Sequence, residues 1–384
     1  MIVGFLRRSS HPPKISYYLS LTCAYYGIKL VYFTPKDISI DNKTITGKIL
    51  MNNKWEEVTI SIPKFIDITP HLFNSKKHSQ KIGFLKNETM LSIDRRHIIN
   101  KDILQTEFMK IPHLQRYAIK GEHLKSVEQA LSFISENKKV VAKPIGGLQG
   151  KSVIMIEKAS NNNYKLGINK EIIDLNEQEF IRYVKDELLE KGILIQTYVS
   201  SRTIQGEPFD CRVHLEKKSQ FEWVIAKTFI RVGVGQTIVS NISQGGGISK
   251  TENFLKANFG EKYIDILDDI KKSSKLIAEE LEKITDTTLM TIGLDIGINE
   301  DGSLFVFEAN SFPIVAPSMA EISVIRPLFY KSMLTNNSSN LRASKIKKQN
   351  HKIKKLENEI KNIKKSKSWR LTSPLRKINN KFRK

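Results

Sequence analysis

Cysteine is nearly absent. The two in 384 residues, Cys23 and Cys211, have no metal-ligand spacing, which leaves a reduced compartment and two structural thiols as the simple reading. Long apolar runs are missing as well: no stretch of eighteen or more apolar residues occurs, so no membrane-spanning helix is expected. The amino terminus offers only Ile2-Val3-Gly4-Phe5-Leu6 before basic and polar residues follow, too little for a signal peptide, and a cytoplasmic protein is expected. No Ser/His or Cys/His grouping points to a nucleophilic side chain. Acids are scarce at the carboxyl end, where Leu341 to Lys384 hold 17 Lys/Arg against Glu357 and Glu359, a net of +15. The other 340 residues carry +7, so the whole-chain +22 describes a mildly basic body with a separate basic device.

What is present is apolar content, 40%, enough for two or three packed lobes. A strand at 2–6, a helix over Ile15–Tyr26 closed by Gly27, and a strand at Lys29–Phe33 read as α/β. Short β segments follow from Ile38 to Ile68 with turns at Asn42-Lys43 and Asn52-Asn53, and Gln80 to Phe108 reads as helical pieces. Val140–Ala142 and Val153–Glu157 read as strands around the glycine-rich run Pro144 to Lys151, which therefore sits in a hairpin. That placement excludes Rossmann and Walker loops, which need a helix directly after the glycines. A helix is expected over Glu177–Glu190, strands dominate Leu194 to Ser240, and Tyr263–Ile284 is a long amphipathic helix with Ile264, Leu267, Ile270, Leu276, Ile277 and Leu281 on one side. A last hairpin pairs Ile292–Ile298 with Leu304–Glu308 across Asn299 to Gly302.

The strongest chemical feature is Asp295, Glu308 and Asn310. Glu308 and Asn310, two apart on a strand, share a side, and the tight turn brings Asp295 alongside. Two carboxylates and an amide oxygen form a hard donor set suited to Mg²⁺; the alternative is a solvated acidic hairpin end. Lys143 ends an apolar strand directly before the glycines, where it can reach a phosphate while backbone N–H groups approach closely; the alternative is an edge-strand lysine beside an ordinary loop. Arg212, in Asp210-Cys211-Arg212, can clamp a phosphate with forked hydrogen bonds or serve as a surface ladder partner, and Arg231 has the same status. Asn241 and the glycines 245–247 form either a mobile cover over a ligand or a flexible turn. His214 reads as structural.

The order Lys, glycine loop, Asp-x-Arg, Asn…Gly-Gly-Gly, Asp…Glu-x-Asn resembles the ATP-grasp superfamily, and within it the YheC/YheD family of Bacillus-type bacteria, described as spore-coat-associated. The stretches that carry the resemblance are VVAKPIGGLQGKSV, LIQTYV, GEPFDCRVHLEK, NISQGGG and, most specific, GLDIGINEDGSLFVFEANSFP, over roughly residues 1–330. The resemblance implies an α+β and α/β ATP-grasp fold: an N-terminal α/β domain at 1–98 and two α+β lobes, 99–192 and 193–334, clamping ATP. It implies Lys101 and Lys143, with Gly146, Gly147 and Gly150, on the ATP phosphates, Gln196 to Tyr198 as the hinge against adenine, and Asn241 near the nucleotide. It makes Arg212 the phosphate-stabilising arginine, with Arg231 beside it, and Asp295, Glu308 and Asn310 the ligands of Mg²⁺ or Mn²⁺. The family usually has Pro-Gly after its Asn-Ser-x; here Pro313 is followed by Ile314, which alters the turn after the metal site. The implied reaction is ATP-dependent ligation of a small-molecule or polymeric carboxylate through an acyl phosphate, with a small-molecule kinase and a non-catalytic coat protein as rivals.

Beyond a polar linker at 335–343, residues 344–384 read as a basic helix with heptad rows Ile346/Ile353/Ile360 and Gln349/Leu356/Ile363. Its end, Ser366 to Arg376, is similar to the Ser-x-Ser-Trp-Arg-Leu-Thr-x-Pro-Leu-Arg ending of bacterial glycosyltransferases and other surface-polysaccharide enzymes. YheC/YheD proteins are not usually drawn with it. That likeness implies a glycosyltransferase partner, or an anionic membrane or polymer surface at the inner face of the membrane; the alternative is a solvated helix. Nucleic acid is disfavoured, since Trp369 and Phe382 are the tail's only large aromatics.

Overall fold

The computed structural model describes residues 1–73, 75–93, 101–145, 153–168, 171–234 and 246–335. The chain divides into two units, Met1–Lys331 and Ser332–Lys384. The expected coiled tail lies outside the described residues. Three sheets follow one another along the first unit.

The first sheet contains β1 (Ile2–Leu6), β2 (Lys29–Phe33), β3 (Ile38–Ser39), β4 (Thr44–Met51), β5 (Lys54–Ser61), β6 (Phe65–Ile68) and β7 (Met90–Leu91), with helices α1 (Lys14–Tyr25) and α2 (Ser79–Glu88). β1 lies between β2 and β6, parallel to both. α1 stops where expected because Gly27 takes φ +68, which costs glycine little. Lys43, Asn52 and Asn53 hold positive φ at the two turns foreseen between strands.

The second sheet is preceded by α3 (Lys101–Lys110) and contains β8 (Gly121–His123), β9 (Lys139–Pro144), β10 (Ile154–Lys158), β11 (Tyr164–Ile168), β12 (Glu171–Leu175) and β13 (Ile193–Thr197), with α4 (Val127–Asn137) and α5 (Glu177–Tyr183). β9 and β10 pair antiparallel, so the glycine-rich run joins two strands. The helix expected to reach Glu190 leaves α geometry at Val184, continuing as a π turn to Leu188 and a 3₁₀ turn to Lys191. Its start is fixed by Asn176 and Glu179, each bonding the other's backbone N–H.

The third sheet is antiparallel: β14 (Phe209–Ser219), β15 (Glu222–Val232), β16 (Gly247–Ser249), β17 (Thr291–Ile298) and β18 (Leu304–Asn310), in the order β16-β15-β14-β17-β18. Helices α6 (Thr251–Phe259), α7 (Tyr263–Thr285) and α8 (Met319–Thr335) accompany it. Cys211, Val213 and Leu215 of β14 bury their side chains in one core with Ile266, Ile270, Ile277 and Leu281 of α7, and with Leu104 and Phe108 of α3. Each such aliphatic burial is worth about 1.5–3 kcal/mol. The expected apolar side of this helix needs one correction. Ile264 is 57% exposed and Ile266 takes the inward place, because two residues along a helix rotate a side chain by about 200°. No helix among the described residues is long and apolar enough to cross a membrane.

Candidate functional site

β14 reads Asp210, Arg212, His214, Glu216 at every second position, with Cys211, Val213 and Leu215 between them. Strand alternation sends the second set into the core and leaves the first on the opposite face. Register completes that face. Arg212 stands opposite Asp295 on β17, and Asp295 stands opposite Glu308 on β18. One step along, Gly293 lies between His214 and Asn310. The hairpin foreseen in the sequence thus brings Asp295, Glu308 and Asn310 together.

Asp295 is the hub. Its Oδ2 faces Arg212 Nη2 at 3.1 Å and Arg231 Nη2 at 3.0 Å. Arg231 also grips Asp210 with two bonds, Nε to Oδ1 at 2.7 Å and Nη2 to Oδ2 at 2.8 Å. Burial alone would push the Arg231 pKa down, but Asp295 and Asp210 outweigh it and raise it, so the guanidinium stays charged. The Asp295 and Arg212 side chains are only about a tenth exposed, which removes the solvated-acid and surface-ladder alternatives for this pair.

The donor set fits a hard divalent cation. Carboxylates directly opposite on neighbouring strands repel unless a cation lies between them. Asp295 Oδ1 is buried and forms an ion pair with Arg212 Nε. Both Asp295 oxygens therefore lie against Arg212, and with Glu308 and the Asn310 amide they make a hard oxygen set that a divalent cation would share with the arginines. Among the described residues, no group of three or more His, Cys, Asp and Glu side chains is arranged for a metal. The candidate set has two of those types, its third donor being an amide.

Backbone close approach explains a glycine here. A Cβ on Gly293 would come within 2.7 Å of Pro313 Cβ and 3.1 Å of Arg212 Nη1. Pro313 therefore packs onto the strand that carries Asp295, and Ile314 beside it points outward at 75% exposure.

The nucleotide-binding candidates lie mostly on the second sheet. Lys143 is on β9, an inner strand flanked by β10 and β13, so it is not an edge-strand lysine. Gln196 on β13 is 2% exposed, and its Nε2 donor is buried without a hydrogen bond, an orphan that a nucleobase acceptor would satisfy. Tyr198 follows the strand with Lys139 Nζ 4.7 Å from its ring centre and its hydroxyl accepting from Arg202 Nε at 2.6 Å. Lys101 opens α3. Gly146, Gly147, Gly150 and Asn241 lie outside the described residues. The segment leading from β13 to β14 is tied to the third sheet by Ser200 N to Asn299 Oδ1 at 3.2 Å and Ile298 N to Ser201 Oγ at 3.1 Å.

One polar cluster was not foreseen. Glu216 and Arg326, both almost wholly buried, form a two-bond pair of 2.6 and 3.1 Å. Arg326 Nη1 also lies 3.7 Å from Asp67 of β6, whose carboxylate accepts from Tyr330 at 2.5 Å and Arg7 at 2.9 Å. His214 joins the cluster through Glu216 at 3.3 Å and Thr291 at 3.2 Å, which bears out its structural reading. The polar alternation of β14 was the available signal for Glu216. Nothing local marked its partners.

A chain with this series of sheets and this acid–arginine row is an ATP-grasp protein. Residues 91–335 match the YheC/D-like ATP-grasp family, and the chain belongs to that family. It is similar to the endospore coat-associated protein YheC of Bacillus subtilis (strain 168), at 24% identity over 321 residues, covering 81% of this chain and 88% of that one. Its likeness to the endospore coat-associated protein YheD of the same organism is 23% over 295 residues, covering 73% of this chain and 63% of that one. Among solved structures, D-cycloserine synthetase DcsG aligns with TM-score 0.48 at 14% identity, covering 85% of this chain and 100% of its own. Macrocyclase MdnC bound with precursor peptide MdnA, from Microcystis aeruginosa MRC, aligns with TM-score 0.45 at 9% identity, covering 85% and 99%.

Proposed function

We propose that the protein is an ATP-dependent ligase that activates a carboxylate as an acyl phosphate and joins it to an amine or related nucleophile. The observation that carries this reading is the opposition of Asp295 and Glu308 across β17 and β18, with Arg212 and Arg231 against Asp295. A substrate carboxylate oxygen attacks the γ-phosphorus of ATP, the bond to the β-phosphate oxygen breaks, and ADP leaves. An amine nitrogen then attacks the acyl carbon, phosphate departs with its bonding electrons, and the amine proton passes to solvent.

Arg212 supplies forked donors for phosphoryl oxygens as their charge grows. Arg231 keeps Asp210 and Asp295 in place. Asp295, Glu308 and Asn310 would hold Mg²⁺ or Mn²⁺, which when bound offsets phosphoryl charge as a Lewis acid. Lys101, Lys143 and the glycines of the β9–β10 connection would hold the phosphates, and Gln196 and Tyr198 would border the adenine.

The carboxylate belongs to a cell-surface glycan or peptide. Two things support this: the tail's likeness to surface-polysaccharide enzymes, and the similarity to endospore coat-associated proteins. The tail positions the enzyme at a glycosyltransferase or an anionic membrane or polymer surface. The test is product analysis with Mg-ATP, candidate carboxylates and amines. Equal amounts of ADP, phosphate and a new amide are expected; ADP with a phosphorylated product and no free phosphate would replace the ligase with a kinase.

A further inference from the structure

Three strands of the first sheet end at one edge. Leu6 closes β1 opposite Phe33, the last residue of β2, and opposite Ile68, the last of β6. The connections 7–13 into α1, 34–37 into β3 and 69–78 into α2 therefore emerge side by side. β1 lies between β2 and β6 and parallel to both, so the connections diverge on its two sides. Open α/β sheets collect their ligands outside the carboxyl ends of strands at such a point.

These connections carry cations. Arg8 is on the first, Lys36 on the second, Lys76 and Lys77 on the third, and Lys81 in the first turn of α2. Hydrogen bonds draw them together: Lys81 Nζ donates to the Lys36 carbonyl at 3.1 Å, and Lys48 Nζ of β4 donates to the Ser10 carbonyl at 3.4 Å. Acids do not balance them. Asp37 is occupied by the Thr34 backbone N–H and hydroxyl at 2.7 and 2.9 Å, and Asp67 by Arg7 and Tyr330. Among the described residues, no carboxylate forms an ion pair with Arg8, Lys36, Lys48, Lys77 or Lys81. His78 feels the result: burial, then the charges of Lys77, Lys81, Arg8 and Lys36, hold its imidazole below the ordinary histidine pKa.

The rest of the edge narrows the choice of partner. Among the described residues of these connections, no large apolar side chain is exposed. Single-stranded nucleic acid needs aromatic platforms, a membrane surface needs apolar anchors, and a peptide needs strand pairing or apolar pockets. An acidic polysaccharide needs none of these. Its carboxylates are fixed to rings, so holding them costs little freedom. The edge also adjoins the chemistry. Arg7 opens the first connection and bonds Asp67, which lies 3.7 Å from Arg326, the partner of Glu216 on the strand that carries Arg212.

We propose that this edge of the first sheet is a docking surface for a carboxylate-bearing polysaccharide, gripped by Arg8, Lys36, Lys77 and Lys81 through charge alone. Naming that polymer as the substrate rests on the ligase reading; its docking is measured without nucleotide.

The basic tail also attracts polyanions, so the test must locate contacts rather than total them. The full chain is treated with a lysine-acetylating reagent, with and without oligogalacturonate, and each lysine is read by mass spectrometry. Saturable protection of Lys36 and Lys77 is expected, lost in high salt and absent with the uncharged methyl ester of the oligomer. Arg8→Gln combined with Lys81→Gln should raise the concentration for half-protection about fivefold, the scale of two exposed ion pairs, while retaining the wild-type melting profile. No protection, equal protection by the methyl ester, or an unshifted midpoint in the double variant would overturn the proposal. So would protection of the same lysines by poly-L-glutamate, polyuridylate or anionic vesicles at an equal or lower concentration of charge. Failure of the wild type to bind Mg-ATP would overturn the ligase reading instead, and leave the footprint to be judged by itself.

Discussion

Arg326 of α8 and Glu216 of β14 meet as a buried two-bond ion pair, 110 residues apart in sequence. Desolvating two charges is expensive, and their attraction offsets that cost only while both partners are present. Arg326→Ala is therefore expected to destabilise the protein by about 3–5 kcal/mol. Urea unfolding compared with wild type measures it, and a loss below about 1 kcal/mol would show that the pair is dispensable.

The same pair sets an acid limit. Burial, the largest influence on Glu216, pushes its pKa up, but the charge of Arg326 and hydrogen bonds from His214 and Arg326 prevail and bring it below 4.5. A carboxylate with a depressed folded pKa binds fewer protons folded than unfolded near that pH. Its contribution is present above the unfolded value and fades as pH falls through the folded one. Stability should therefore decline below about pH 4.5, and Glu216→Gln should flatten that part of the curve while lowering it throughout. Denaturation curves from pH 3 to 7 decide the matter.

Both thiols should be inert. Cys23 and Cys211 are free and buried, and burial, then the charge of Asp67, pushes the Cys23 thiol up to about 12. Burial raises Cys211 as well. Ellman's reagent at neutral pH should find no reactive thiol in the native protein and both after unfolding, because the thiolate is the reactive form.

Gly293→Ala should damage the site more than its size suggests. The new Cβ meets Pro313 and the Arg212 guanidinium, and the backbone on both sides is held by strand pairing. Overpacking of this kind costs about 1–3 kcal/mol. Weaker Mg-ATP binding is the expected signature, alongside a modest fall in melting temperature; unchanged nucleotide affinity would mean Pro313 yields instead.

A chain ending at Thr335 should keep its turnover on soluble substrates and lose salt-sensitive binding to anionic vesicles. Each lost basic residue near such a surface is worth about 1 kcal/mol and is screened by salt. Vesicle co-sedimentation at two ionic strengths reads this out, and loss of turnover in a well-folded truncated chain would place the tail in the chemistry.

The parts legible in sequence were those with a local cause. β1 and β2 run as expected because apolar residues fill four of their five positions, and Gly27 fixes where α1 stops. Asp295 and Glu308 could be brought together on paper because a tight hairpin turn joins their strands. Ile264 was misplaced because an apolar side chain two positions from the true face still resembles part of the stripe. Asp67, Glu216, Arg326 and Tyr330 were invisible as a set: each looks ordinary alone, and only the packing of three distant segments makes them neighbours.

That cluster also bears on heredity. The match to the family model begins at residue 91, so Asp67 lies upstream of it while Glu216, Arg326 and Tyr330 lie within it. The opening segment and the closing helix are consequently a matched pair. A chimera that grafts a relative's first ninety residues onto this body would leave the buried Tyr330 hydroxyl without its acceptor, and Arg326 with Glu216 alone, unless the donor carries its own acid in β6.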